Sequence, residues 1–316
     1  MNNNPLHAPA ALADAIFQAH AARWSATASD ATPMRFTLDD PVYRAAKIAC
    51  LRLGFIEIDA QCLALAWKAQ TARTGAFDAT AWPTAPVDFG LGSFPPAARA
   101  STFAPCPDRL GLYAVLPDAQ WVGRMARAGV PTVQLRFKSD DEDEIAREVQ
   151  AAVDAVRGTP ALLFINDHWQ AAIDAQAYGV HLGQEDLDAL AHDDVQRIRT
   201  AGLRLGVSTH GYAEMVRADA VSPSYIALGA VYPTTLKRMA TEPQGVARLA
   251  AYAQLLRGYP LVAIGGIDAA RMPEVLATGV GSVGVVRALV AADDPEAQAS
   301  ALTAILNSGL SESASS

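Results

Sequence analysis

The chain of 316 residues is 51% hydrophobic with a formal net charge of -8, enough for one large α/β domain plus an appendage and, with no basic stripe, unsuited to a nucleic-acid footprint. No apolar run reaches membrane-spanning length, and Met1-Asn2-Asn3-Asn4-Pro5 has neither the basic start nor the apolar core of a signal peptide. Cys50, Cys62 and Cys106 show no metal spacing and, being odd in number, fit ordinary thiols in a reducing, cytoplasmic compartment better than a disulfide framework, which leaves small molecules as the expected partners.

Residues 9–25 are alanine-rich, with Leu12, Ile16 and Phe17 spaced for one face of a helix. Residues 41–74 predict two more helices. The first covers 42–53; the second has Asp59 as its N-cap ahead of Cys62, Leu63, Leu65, Ala66 and Trp67, and the short 54–58 connection makes the pair antiparallel. Residues 1–75 therefore read as a helical N-terminal extension. Pro83, Pro86, Pro95, Pro96, Pro105 and Pro107 among small residues give 76–108 the composition of a linker. From Leu110 strand-like and helical patterns alternate, with strands expected at 110–116, 131–136, 161–165, 179–182, 203–207, 224–228, 260–264 and 281–286. Eight βα units within 109–307 predict a (β/α)8 TIM barrel, with a doubly wound open sheet as the alternative that periodicity alone leaves open. The small, polar tail 308–316 is expected to be disordered.

In such folds the carboxyl ends of the strands meet over one face, and polar clusters follow the apolar runs there. Gln134, Arg136 and Lys138 alternate along the second strand, so their side chains leave on one side. A planar donor fork and a point charge suit a phosphate or pyrophosphate clamp; a strand end emerging into solvent has the same pattern. Asp167 and Asp186 end the third and fourth strands, where they can share a hard cation, Mg²⁺, with substrate phosphate oxygens, or each can cap the helix that follows. Capping accounts for either one singly, whereas the pair beside a cationic strand favours the metal. His168 and His181 read as hydrogen-bonded packing or helix-start groups, and His210 lies in a polar loop, none with zinc spacing. Ser208 faces the site from the end of the fifth strand. Thr234 and Lys237 follow the sixth strand and Gly265-Gly266 the seventh, where hydroxyls, a cation and a Gly-Gly turn suit an anion.

Taken together, VQLRFK, FINDHWQAAIDAQAYGVHLGQEDL, LGVSTH, YIALGAVYPTTLK and LVAIGGI, in this order over about residues 110–306, resemble the thiamine-phosphate synthase family. The resemblance implies a (β/α)8 barrel that joins 4-amino-5-hydroxymethyl-2-methylpyrimidine pyrophosphate to hydroxyethylthiazole phosphate and releases pyrophosphate, with Mg²⁺ as the required ion. It assigns Arg136, Lys138, Asn166 and Lys237 to the pyrophosphate, Asp167 and Asp186 to Mg²⁺, and Gln134 and Ser208 to the pyrimidine. Gly265, with the backbone near Val286, falls to the thiazole phosphate, and Arg136, Lys138, Ser208 and Lys237 form the catalytic set. Such a substitution needs stabilisation of a leaving group rather than a strong base, which agrees with the residue types found.

Two positions depart from the family pattern. Leu236 stands where a Pro-Thr-x-Thr-Lys loop has a phosphate-binding Thr, and Arg287 follows Val286 where a small Ser is common. Residues 45–69 are similar to the C-terminal helices of the hydroxymethylpyrimidine kinase family, without the Gly-rich phosphate turn that such kinases need. Two rival readings remain: a tautomerase-like paralogue acting on a thiazole phosphate, and a non-catalytic phosphate-ligand sensor, for which Leu236 is the best support. Retention of the pyrophosphate set speaks against the first.

Overall fold

The computed structural model describes residues 9–24, 35–92, 102–234 and 242–313. The chain divides into two compact units, Met1–Ser93 with Gly211–Ala220, and Phe94–His210 with Val221–Ser316.

The first unit contains α1 (Pro9–His20), α2 (Pro41–Arg52) and α3 (Glu57–Thr74). Ala45, Ala46 and Ala49 are fully buried on α2, and side chains this small let neighbouring helices approach closely. Lys47 is buried beside them and is satisfied by Glu57 at 2.5 Å and by the Arg35 carbonyl, as a buried ammonium must be. Residues 76–92 carry the linker composition but belong to this unit. Trp82 is buried against the rings of His20, Trp24, Phe55 and Trp67, and Arg73 grips Asp88 with two hydrogen bonds of 2.8 and 2.6 Å. The aromatic residues between the prolines decide the matter; Pro86 opens a short 3₁₀ turn, Pro86–Phe89, rather than loosening the chain.

Asp59 corrects a second expectation. Helix α3 starts at Glu57 with Ile56 as its N-cap, so Asp59 lies inside its first turn. The Asp59 carboxylate instead accepts the Ala213 amide at 2.9 Å, at the start of α9 (Tyr212–Ala220), the helix that this unit takes from later in the chain. A side chain at Gly211 would place its Cβ 2.1 Å from Asp59 Oδ2, so the carboxylate needs glycine there.

The second unit is a closed parallel barrel of β1 (Gly111–Leu116), β2 (Thr132–Leu135), β3 (Leu162–Asn166), β4 (Gly179–Leu182), β5 (Arg204–Thr209), β6 (Tyr225–Leu228), β7 (Leu261–Ile264) and β8 (Ser282–Val285), ordered as in the sequence, with β8 paired to β1. Each observed strand lies within two residues of its predicted span. Helices α4 (Ala119–Arg127), α5 (Glu142–Val156), α6 (Trp169–Asp174), α7 (Gln184–Ala189), α8 (His192–Thr200), α10 (Gly245–Leu255), α11 (Met272–Leu276), α12 (Arg287–Val290) and α13 (Pro295–Ser313) complete this unit. Asp118 and Asp141 start α4 and α5 by accepting the amides of Trp121 and Glu144 at 2.8 and 3.0 Å, the N-cap role short polar side chains fill best.

Inside the barrel, Tyr113 from β1, Phe164 from β3 and Tyr225 from β6 pack with Val115, Ala227 and Val262. The neighbouring strands supply glycine where these rings lie. A Cβ at Gly206 would stand 2.1 Å from the Tyr225 ring, and one at Gly179 2.5 Å from that of Phe164. Large residues facing small ones fill the interior as a core rather than a pore. The chain end also differs from expectation, because α13 runs on through Ser313. Gly309 lets it approach Leu276, whose Cδ1 would lie 2.8 Å from an added Cβ, and the Ser311 hydroxyl donates to the Asn307 carbonyl at 2.9 Å. Residues 314–316 of the expected disordered tail lie outside the described residues.

Candidate active site

The chain from β2 into the segment after it, which starts at Arg136, grades from interior to mouth. Gln134 is buried, Arg136 half-buried and Lys138 exposed, and the Arg136 amide extends the β1–β2 ladder by donating to the Leu116 carbonyl at 2.7 Å. On β3, Asn166 is buried, and Asp167 follows it with φ of 64°, a left-handed conformation that Asp tolerates better than most residues. The Asp167 amide donates to the His181 carbonyl at 3.0 Å, which fixes where the chain turns off the sheet.

Three predicted residues meet at this turn. Lys138 Nζ lies 2.8 Å from Asp167 Oδ2, and the Asp167 and Asp186 carboxyls are near enough to shift each other. Burial, then the adjacent Asp167 charge, raise the Asp186 carboxyl above its ordinary value; burial opposes the shift at Asp167, but the Lys138 hydrogen bond and charge bring it below. Opposite shifts of two neighbouring carboxyls are what mutual repulsion produces when a cation sits nearer to one of them. Asp186 also accepts the Gly183 amide at 3.2 Å and so reaches back over the start of α7. Asp167 has no such task, since α6 has His168 as its N-cap residue, held by its ring Nε2 at 3.1 Å from the Phe137 carbonyl. Capping therefore explains part of Asp186 and none of Asp167.

The pair also answers the metal question in chemical terms. Two carboxylates held close together form a donor set whose repulsion a hard cation can relieve. Among the described residues no group of three or more His, Cys, Asp or Glu lies together as a metal cage, so further ligands for such an ion would come from water and substrate oxygens.

Gln134 and Ser208 are joined through the barrel interior by Tyr113 and Tyr225, which sequence reasoning passed over, and by His181, which it read as a hydrogen-bonded packing or helix-start group. Gln134 Nε2 donates to Tyr113 Oη at 2.9 Å; Tyr113 Oη and Tyr225 Oη are 2.7 Å apart; Tyr225 Oη is 2.7 Å from His181 Nδ1, and His181 Nε2 is 2.8 Å from Ser208 Oγ. The Ser208 carbonyl accepts Gln184 Nε2 at 2.7 Å. The available signal was parity. Tyr113 and Tyr225 fall at inward-pointing strand positions, where a phenol hydroxyl must find a buried partner.

On the opposite strands, Gly265 and Gly266 have φ of 107° and 66°. Cβ atoms there would lie 2.5 Å from Ala230 and 2.8 Å from the Pro233 carbonyl, so both glycines are needed where the segments after β6 and β7 close on each other. Thr234 is half-buried, while Thr235, Leu236 and Lys237 lie outside the described residues. Val286 packs against the interior cluster and Arg287 is exposed at the start of α12.

Residues 112–289 match the profile of the thiamine monophosphate synthase family. The chain belongs to that family. A thiamine-phosphate synthase from Neisseria meningitidis serogroup B is 53% identical over 204 residues, covering 65% of this chain and 98% of its own length. One from Escherichia coli O6:H1 is 54% identical over 192 residues, or 61% and 90% of the two chains. Among solved structures, thiamine phosphate pyrophosphorylase from Pyrococcus furiosus matches with a TM-score of 0.56 and 27% identity, covering 64% of this chain and 98% of that one. Membership makes this barrel a transferase of thiamine biosynthesis.

Proposed function

We propose that the barrel condenses 4-amino-5-hydroxymethyl-2-methylpyrimidine pyrophosphate with hydroxyethylthiazole phosphate, releasing pyrophosphate, at the carboxyl ends of its strands. The observation that carries the proposal is the contact of Lys138, Asp167 and Asp186 beside Arg136: cations and paired carboxylates at one mouth suit a pyrophosphate and its counter-ion. Arg136 offers a bidentate fork, Lys138 and Lys237 offer point charges, and Asn166 offers an amide donor to the same oxygens. Breaking the C–O bond puts negative charge on pyrophosphate and positive charge on the pyrimidine methylene, so cations held in place before reaction lower the barrier without a base. Gln134 and Ser208 orient the pyrimidine. Gly265, Thr234 and the backbone at Val286 hold the thiazole phosphate, so that the ring nitrogen meets the methylene in line.

Mg²⁺ fits the site. Asp167 and Asp186 would hold it, and when bound it supplies counter-charge to the departing pyrophosphate. Pyrophosphate release with both substrates, against each alone, tests the reading. The expected result is release only when both are present, with thiamine phosphate formed in equal amount. Binding of thiazole phosphate without any condensation would mean a sensor, and conversion of a thiazole phosphate alone would mean the tautomerase-like reading.

A further inference from the structure

The chain Gln134–Tyr113–Tyr225–His181–Ser208 consists of four contacts of 2.7 to 2.9 Å. Its inner members are buried: Tyr113 is 2% exposed, Tyr225 0% and His181 7%. A phenol carries one proton and a neutral imidazole carries one, on Nδ1 or Nε2. With the His181 ring neutral, the polarity of the whole chain is a single two-way variable, since reversing any one bond would put two protons, or none, into a neighbouring contact.

Gln134 fixes the choice by turning its Nε2 toward Tyr113. An amide nitrogen only donates, so the Tyr113 proton passes to Tyr225 and the Tyr225 proton to His181 Nδ1. The ring proton is then on Nε2 and points at Ser208 Oγ. Ser208 accepts from the imidazole, and its own proton is the donor it has left to give. Burial raises both phenols well above the range in which they would ionise, so neither breaks the chain by losing its proton.

We propose that Tyr113, Tyr225 and His181 are positioning residues for this reaction: they lock His181 as the Nε2–H tautomer and thereby couple the two pyrimidine contacts, presenting Gln134 as an acceptor and Ser208 as a donor at the same time. The proposal rests on the assignment of Gln134 and Ser208 to the pyrimidine. A ring that carries an amino group beside a ring nitrogen offers one donor and one acceptor, and a site locked in this polarity complements it. One locked in the reverse polarity would meet it donor to donor and acceptor to acceptor, with desolvated groups left unpaired.

Two measurements on the full chain test this separately from the activity. In ¹⁵N-histidine spectra, with the His181 signals assigned by their loss in His181→Gln, the protonated nitrogen should be Nε2; a proton on Nδ1 overturns the relay whatever the enzyme does. In steady-state kinetics Tyr225→Phe, which removes one oxygen from the middle of the chain, should raise KM for the pyrimidine pyrophosphate about tenfold, the size of one hydrogen bond, and leave KM for the thiazole phosphate unchanged. Tyr113→Phe, at the other end, should do the same. Should either Phe variant fail to fold, the other carries the kinetic arm. Equal rises in both KM values would mean a merely structural role and overturn the proposal. Correct ¹⁵N polarity in a chain that condenses nothing would leave the relay standing and count against the synthase reading instead.

Discussion

At the scale of single residues, Asp167 and Asp186 work against each other for folding and, in the proposed reaction, together. The folded value of Asp186 is raised, so the folded chain holds its proton more tightly than the unfolded one, and the charged form costs stability as pH rises through that window. Asp167 is lowered and has the opposite sign: the stability it contributes is lost as pH falls through its folded value. Asp186→Asn keeps an oxygen for the Gly183 amide and removes the repulsion. At neutral pH it should stabilise the barrel by about 0.5 kcal/mol, solvent screening keeping the figure small, or by roughly 1–2 °C in Tm. The gain should fade as the buffer is made acidic enough to protonate wild-type Asp186, and turnover should be lost. A variant less stable than wild type at neutral pH would contradict the reading of a strained carboxyl pair. Sequence could place Asp167 at a strand end because its position follows from the apolar run, but it put Asp186 at one too, whereas that residue lies in the first turn of α7. It could not reach Tyr113, Tyr225 and His181 as a connected set, because a chain of hydrogen bonds across a barrel depends on register between strands, such as Asn166 opposite His181 and Ser208 opposite Ala227, which no single segment encodes.

Among the elements, α9 shows what local reading misses. The Ala213 amide in its first turn is met by Asp59, 154 positions earlier, so the spacing that made Asp59 look like the cap of its own helix pointed to the right chemistry on the wrong element. Strands were legible because apolar runs bounded by polar ends have few other homes, and the 76–92 segment was not, because prolines dominate its composition while Trp82 and Phe89 dominate its packing. Asp59→Ala should cost about 1–3 kcal/mol, the expense of leaving a buried amide unpaired. Thermal melts should show it as a drop of several degrees in the transition reported by the tryptophans of the first unit, Trp24, Trp67 and Trp82. Asp59→Asn, which retains an acceptor, should recover most of the loss. An unchanged melt for Asp59→Ala would mean that α9 needs no cap from α3.

On the scale of the whole molecule, the family accounts for the barrel and leaves the first unit as an addition with its own core. The barrel supplies a filled interior, and the reactive groups stand where that interior ends: carboxylates and cations at the mouth, and a polar chain just beneath them. What makes this scaffold a pyrophosphate-releasing synthase, on this account, is the meeting of Asp167 and Asp186 beside the Arg136–Lys138 segment that follows β2. The most direct test is the rate of thiamine phosphate formation as a function of Mg²⁺ concentration for the wild type and for Asp167→Ala, with circular dichroism to confirm that both are folded. The account predicts that Asp167→Ala loses about a hundredfold or more in turnover and needs far more Mg²⁺ to reach half of what remains. Near-normal turnover of Asp167→Ala at low Mg²⁺ would contradict it.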